Sequence, residues 1–536
     1  MRLHLNVLTA FAVFALPCVF AQTTGVIRGT VTDPSGAVIG GAKVTAILQG
    51  TNTNRTTSSD SRGEYVLPTL AVGKYTIEIE APGFKKYVNR DLDVTIGHVI
   101  VADASLELGE VSQVITAEAK AALVETSSTQ LGAVVNETTV TNLPLNERDT
   151  YQLLQLQPGV QSQQGYDLFA GSEKAGVVSV NGGRGRSNNF NVNGGDGNDQ
   201  FIGVPAIQPS PDTIQEFRVL TNTFDAEFGR NSGAVVNVVT KGGTNNFHGN
   251  LFEFFRNRAL NTRGFFDSEK PDFKQNQFGG TFGGPIKKDK TFFFGSYEER
   301  HVVQGISSDL VTVPTVAERT GDFSAGTTFA GTLSTDYMAG VLNARPGCAG
   351  AVAAAGGAPI AAGTAYSSIF PNNKIPTPCF DQTAFDLLNQ FVPVANRGDS
   401  QYQSVPGQRD RDHQGTLRID HVINDHQQLN FYYYADDDSL AKPFARFQAA
   451  GANIPGFGSN YDQRIQQWNI GHTWVLGASA VNEFRFAYFR EGQLGFNHPQ
   501  NTSLVQNSCK TVPADQCFSD PANPKLGITP GLGASH

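Results

Sequence analysis

From Asn246 onward the chain repeats a pattern that few folds accept: segments of alternating polarity joined by connections that are short and long by turns. The segments are Asn246–Asn257, Asn276–Ile286, Thr291–Arg300, Arg411–Ile423, Gln427–Asp436, Asp462–Leu476 and Val481–Glu491. Each is close to the roughly nine to eleven residues that a tilted strand needs to cross hydrocarbon. In the last, Phe484, Phe486 and Tyr488 share one face while Arg485 and Ala487 share the other, which suits lipid on one side of a sheet and water on the other. The short connections are Lys287–Lys290, Asn424–His426 and Gly477–Ala480, and the long ones are 258–275, 301–410, 437–461 and everything after Gly492. Bacterial outer-membrane barrels show this rhythm, with short turns on the periplasmic side and long loops outside. A soluble sandwich has no reason to keep it.

The N-terminus supports export. Met1, Arg2 and His4 precede an apolar stretch from Leu5 to Leu16, and Val19 and Ala21 put small residues at minus three and minus one of a cut after Ala21, so residues 1–21 read as a signal peptide. Beyond Ala21 no apolar run approaches the roughly twenty residues of a membrane helix, so any spanning must be done by strands. Gly 57 and Phe 37 against Met 2 describe a chain of turns and aromatic strands. A net charge of -9 argues against nucleic acid, which wants a basic face. The exported cysteines Cys348, Cys379, Cys509 and Cys517 lack metal-ligand spacing and are disulfide candidates in outer loops, with the pairing open.

Residues 22–109 alternate in short runs. Gly25–Thr32 is followed by the turn residues Asp33, Pro34, Ser35 and Gly36, then by Ala42–Leu48, Tyr65–Leu67, the alternating Tyr75, Ile77 and Ile79, and a closing stretch from Thr95 to Leu108. This predicts a small β-sandwich. The patterns GTVTDPSGAVIGGAKV and SRGEYVLPTLAVGKYTIEIEAPGF resemble the carboxypeptidase regulatory-like domain, a carbohydrate-binding-like fold. That resemblance concerns fold, and a spacer or docking role is as compatible with it as sugar binding.

Residues 110–245 are more polar. The run Val111–Thr116 is an isolated β-prone segment with Val111, Val114, Ile115 and Thr116 available for pairing with a partner strand. Between Leu143 and Asn245 come LPLNERDTYQLLQLQPGV, VSVNGGRGRSNNFNVNGGDGND and SPDTIQEFRVLTNTFDAEFGRNSGAVVNVVTKGGTNNFHG. In this order, after such a sandwich, they resemble the plug of TonB-dependent outer-membrane receptors of the Oar-like group. The resemblance implies an α+β plug in a barrel lumen, with Val111–Thr116 as the segment met by a TonB-type energising protein of the inner membrane, a plain linker being the other reading of that run. A plug in a polar lumen needs a polar outer face, and Arg184, Arg186, Asn188, Asn189 and Asp196 are its loop candidates. Arg218 and Arg230 join Arg184 and Arg186 as cations able to meet acids on the wall. Ile214, Phe217 and Val219 are assigned to the plug core, with Val235, Val236, Val238 and Val239 as a buried strand.

The fold class expected is all-β dominated: a sandwich, a plug, and from residue 246 to 536 an incomplete transmembrane antiparallel barrel. Seven strands is an odd count, and single-chain bacterial barrels use even numbers, so the sheet is expected to continue beyond this segment. No HExxH, GxSxG, P-loop or GxGxxG occurs, and His421 and His426 sit in a strand and its turn, so neither enzyme, cofactor nor metal is expected. Asp196, Asn198 and Asp199 form only the start of a calcium loop. The expectation is a receptor in the outer membrane of a Gram-negative type of cell, its sandwich in the periplasm. It would lie in outer-membrane lipid and take up a small ligand, oligosaccharide or peptide. The alternative is an adhesion or structural surface protein that keeps the barrel without transport.

Overall fold

The computed structural model describes residues 23–109, 114–117, 130–145, 148–162, 178–200, 203–224, 228, 231–263, 265, 270, 272–326, 329–444, 454, 458–477 and 480–499. The first module is built from β1 (Gly25–Thr32), β2 (Lys43–Leu48), β3 (Asn54–Ser58), β4 (Glu64–Leu70), β5 (Gly73–Glu80), β6 (Lys86–Val94), β7 (Val99–Val101) and β8 (Ala104–Ser105). β1 pairs with β4, β7 and β8 in one sheet, and the other runs β3-β2-β5-β6. Alternation turns Ile27, Val31, Val44, Ala46, Ile77 and Ile79 into the space between the sheets, where all are buried. Each valine or isoleucine so buried contributes about 1.5–3 kcal/mol.

Two strands here lie outside the sequence expectation. β3 is wholly polar, an edge strand whose backbone pairing with β2 does not depend on an apolar face. β6 loses its alternation where Asp91 adopts a positive φ of 60° and the register with β5 shifts between Tyr75 and Ile77. β9 (Val114–Ala117) then adds to β6 in parallel, so the sheet ends in a strand contributed from beyond the sandwich.

The middle module contains β10 (Leu131–Asn136), β11 (Val160–Ser162), β12 (Val178–Val180), β13 (Asn189–Val192), β14 (Gly195–Asp196), β15 (Ile214–Asn222) and β16 (Val235–Thr240). Its main sheet has the order β10-β15-β16-β13-β14, and β11 pairs with β12. The short helix Glu137–Asn142 begins where the Asn136 side chain accepts a 3.0 Å bond from the Thr139 N–H. Ile214, Phe217, Val219, Val236 and Val238 pack with Tyr151 and Phe190, as the sequence suggests. The same apolar cluster runs on into Tyr432, Tyr434 and Ile465 of the large sheet.

That sheet is made of β17 (His248–Asn257), β18 (Phe273–Lys287), β19 (Thr291–Gly305), β22 (Gly407–Asn424), β23 (Gln427–Lys442), β24 (Ser459–Gly477) and β25 (Ala480–Pro499), antiparallel and in chain order. Phe484, Phe486 and Tyr488 are 54%, 52% and 50% exposed on its outer face, while the Arg485 side chain on the inner face is only 12% exposed. The strands outrun the expected spans because pairing continues above the apolar band. One cross-strand row reads Gly295, Leu417, Tyr433, Trp468, Tyr488, and two rows higher come Glu299, His413, Asp437 and Arg464. Aromatic residues capped by charges mark the edge of a membrane-facing band.

The connection after β19 was expected as a bare loop, but it has a core. β20 (Val311–Thr312) pairs with β21 (Gln401–Tyr402), and between them short helices bring Leu333, Ala339, Val352, Ile369 and Phe370 together. Cys348 and Cys379 lie in this core as a disulfide, with Cα atoms 4.4 Å apart. Helices of ten residues or fewer, in Ala/Gly-rich sequence, leave little periodicity to read.

Candidate functional site: a vestibule where three modules meet

The inner face of the large sheet is polar and acidic, with Glu298, Asp412, Asp420, Asp436 and Asp438 all buried. Arg148 is the main tie. Its guanidinium pairs with Asp212 of its own module, lies 3.7 Å from Glu298 of β19, and stacks over the rings of Phe252 and Phe254 at 4.1 and 4.6 Å. Ser210 adds its hydroxyl to Glu298. Further along, Gln467 donates to the Asp196 carbonyl at 2.8 Å, Asn469 to the Val192 carbonyl at 2.9 Å, and Arg418 to the Thr240 carbonyl. Backbone carbonyls at the ends of β13, β14 and β16 are thus satisfied by side chains of the wall.

The sandwich sits against the short-turn end of the sheet, the periplasmic end in outer-membrane barrels. Asn52 donates to Asp289 in the turn after β18 at 3.1 Å, and Arg55 to the Asp425 carbonyl in the turn after β22 at 3.4 Å. Asn245 donates its backbone N–H to the Gly50 carbonyl at 2.7 Å and its side chain to the Thr51 carbonyl at 2.9 Å. On the other side the Ile96 N–H donates to the Glu216 carboxylate at 2.5 Å. Burial pushes the Glu216 pKa up to about 7 and Asp93 adds to the rise, while the Ile96 N–H and Arg218 oppose it.

Between these contacts the three modules line a cavity of about 850 Å³. Asp93 and Thr95 reach it from the sandwich, Asn193 and Glu216 from the middle module, and Asn430 and Arg485 from the sheet. The walls offer hydrogen bonds and both signs of charge, suited to a polar solute.

Of the residues singled out from sequence, Val114, Ile115 and Thr116 lie in β9, and Val111 lies outside the described residues. Arg184 and Arg186 are exposed, and among the described contacts neither forms an ion pair with the wall. Asn188 and Asn189 do not face the lumen: both are buried within their module. Asn188 donates to the Val178 carbonyl at 2.8 Å and accepts from the Ala234 N–H at 2.8 Å, while Asn189 accepts from Asn198 at 2.8 Å. A module this small has irregular backbone inside it, and amide side chains are what satisfies it. Asp196 is half-buried and bonds Asn198 in the same way. Arg218 is buried, and Arg230, Cys509 and Cys517 lie outside the described residues. Arg148, Glu216 and Glu298 escaped the sequence reading. Glu216 alone carried a signal, an acid between Ile214 and Phe217 in a buried strand.

Among the described residues one cluster has metal-ligand chemistry: the donor atoms of Glu299, His301 and His413, on the outer face, lie within 4.8 Å of one another. Arg411 already donates to His301 at 3.1 Å and to Glu299 at 3.0 Å. A fixed cation therefore stands where a metal would, and the group is a surface ion-pair network.

Residues 239–534 match the family described as outer membrane beta barrel domain, and residues 26–107 match the carboxypeptidase regulatory-like domain. The chain is 31% identical over 302 residues to the TonB-dependent transporter Oar of Myxococcus xanthus, covering 52% of this chain and 27% of that protein. Among solved structures, a mutant of the ferric enterobactin receptor of Pseudomonas aeruginosa is 12% identical with a TM-score of 0.38, over 67% of this chain and 40% of that one. The outer membrane transporter YddB of Escherichia coli is 11% identical with a TM-score of 0.41, over 68% of this chain and 39% of that one. The chain belongs to the outer-membrane β-barrel family, carries a carboxypeptidase regulatory-like domain ahead of its barrel strands, and is similar to the Oar-like TonB-dependent transporters.

Proposed function

We propose that the protein of which these residues are a part takes up a polar ligand across the outer membrane, with the middle module as the plug of its barrel and Val111–Thr116 as the segment engaged by a TonB-type energising protein. The observation that carries this reading is the seating of the middle module on the sheet. It shares an apolar cluster with Tyr432, Tyr434 and Ile465, and Arg148 locks it to Glu298, so it occupies the lumen face as a fitted part. Similarity to a relative described as a TonB-dependent transporter supports the source of energy. The polar cavity beneath the plug supports a polar cargo, whether small molecule, oligosaccharide or peptide.

The test is deletion of Val111–Thr116 in the full-length gene, read as growth on a nutrient that requires the intact gene, with surface display measured in parallel. Growth should be lost while display persists. Unchanged growth would sink the transport mechanism assigned to this segment.

A further inference from the structure

The two attachments of the lumen contents differ in kind. The middle module is joined to the sheet through a continuous apolar core that includes Tyr432, Tyr434 and Ile465. Among the described residues the sandwich has a core of its own, made of residues between Ile27 and Leu106 and shared with neither other module, with the buried Ile96 lying outside it. Hydrogen bonds hold it in place: Asn52 to Asp289, Arg55 to Asp425, Asn245 to Gly50 and Thr51, and Ile96 to Glu216. Separating the middle module from the sheet exposes apolar surface. Separating the sandwich exchanges protein hydrogen bonds for water, each neutral one worth only about 0.5–1.5 kcal/mol net and those of charged groups such as Arg55 and Glu216 about 1.5–3. Polar interfaces of this kind are the ones across which domains move.

The position of β9 gives that difference a direction. Val114–Ala117 pairs with Lys86–Asn89 at the end of the sheet β3-β2-β5-β6-β9, and among the described strands none pairs with its other side. Traction on this segment acts first on β6, and the loop that follows β6 carries Ile96, which is bonded to Glu216.

Resting on the uptake reading above, we propose that the sandwich is a detachable cover over the periplasmic end of the lumen and that β9 is its handle: a strand added to β9 and pulled lifts the sandwich away from Glu216 and the barrel turns before the plug itself is disturbed. The cavity of about 850 Å³ is then a vestibule with the sandwich as its floor, and cargo leaves through the gap that opens when the sandwich lifts.

The cover can be locked. A Cβ built on Gly50 lies 3.8 Å from the Thr244 Cβ, close to the mean spacing of a disulfide, so Gly50→Cys with Thr244→Cys closes a bond between sandwich and plug–barrel junction. Gly50 has a φ of +88°, and Gly50→Cys alone controls for that backbone cost. A reporter, Asn430→Cys, is placed in the vestibule wall of the full-length protein in living cells. Its labelling by fluorescein maleimide, entering through the general porins, is compared with the parent lacking the reporter. In energised cells labelling should run at least several-fold faster than after a protonophore. That difference should vanish with the lock oxidised, return on reduction, and persist in the Gly50→Cys control. Deleting residues 23–109 should give fast labelling with or without the protonophore. Energised labelling that survives the oxidised lock would overturn the proposal, as would slow labelling after the deletion. If the deletion exposes the reporter but labelling of the otherwise unaltered Asn430→Cys protein ignores the protonophore, the cover is supported and the energised-uptake reading fails.

Discussion

The Glu216 carboxylate accepts a 2.5 Å hydrogen bond from the Ile96 N–H, joining the second strand of the middle sheet to the loop after β6. This contact makes docking of the sandwich sensitive to pH. Burial holds the Glu216 carboxyl up at about 7 in the docked state, above its ordinary 4.5, and Asp93 of the sandwich adds to the rise, so docking favours the protonated form. The stabilisation is present at acid pH and is lost as pH rises through about 7. Energy transfer between dyes on the sandwich and the barrel turns should fall from pH 5 to pH 8, and Glu216→Gln should flatten the profile. An unchanged slope in that variant would assign the pH dependence elsewhere.

Arg148→Ala leaves Glu298 and Asp212 buried without their shared cation. Losing one member of a buried charge group costs about 3–5 kcal/mol, because the remaining charges stay desolvated. Hydrogen exchange over residues 130–240 should rise sharply while the sandwich stays protected, since its core is separate. Uniform exchange across both modules would contradict the division into independent cores.

The disulfide Cys348–Cys379 closes a loop of sequence separation 31. Loop-closure entropy makes it worth about 3–4 kcal/mol. Cys348→Ala should make residues 306–406 sensitive to protease at the cell surface and leave the barrel heat-resistant. Protease resistance equal to wild type would show that the helical core of this connection stands without it.

Phe486→Arg places a charge on the lipid face beside Ile470. Near the bilayer midplane such a change costs about 2–4 kcal/mol, whereas Phe486→Leu should cost far less. Urea unfolding of the full-length protein in liposomes should separate the two variants.

Much of the barrel was readable because alternation is a direct record of its two solvents: Phe484, Phe486 and Tyr488 against Arg485 leave little choice of face. The sandwich was readable wherever a strand had one dry face, as in β1 and β5, and unreadable in the polar edge strand β3 and the bulged β6. In the middle module the apolar strand residues were correctly turned inward. The asparagines were not, since Asn188 looks equally suited to water or to a buried carbonyl. The site itself was scarcely legible: Arg148 and Glu298 are 150 residues apart in sequence, and only the folded sheet brings them together.

The most direct test of the account replaces Ile115 in the full-length protein with a photo-crosslinking amino acid and irradiates living cells. The account predicts an adduct with the inner-membrane energising protein, formed at β9 and absent when that protein is deleted. Normal surface display with no such adduct would contradict it.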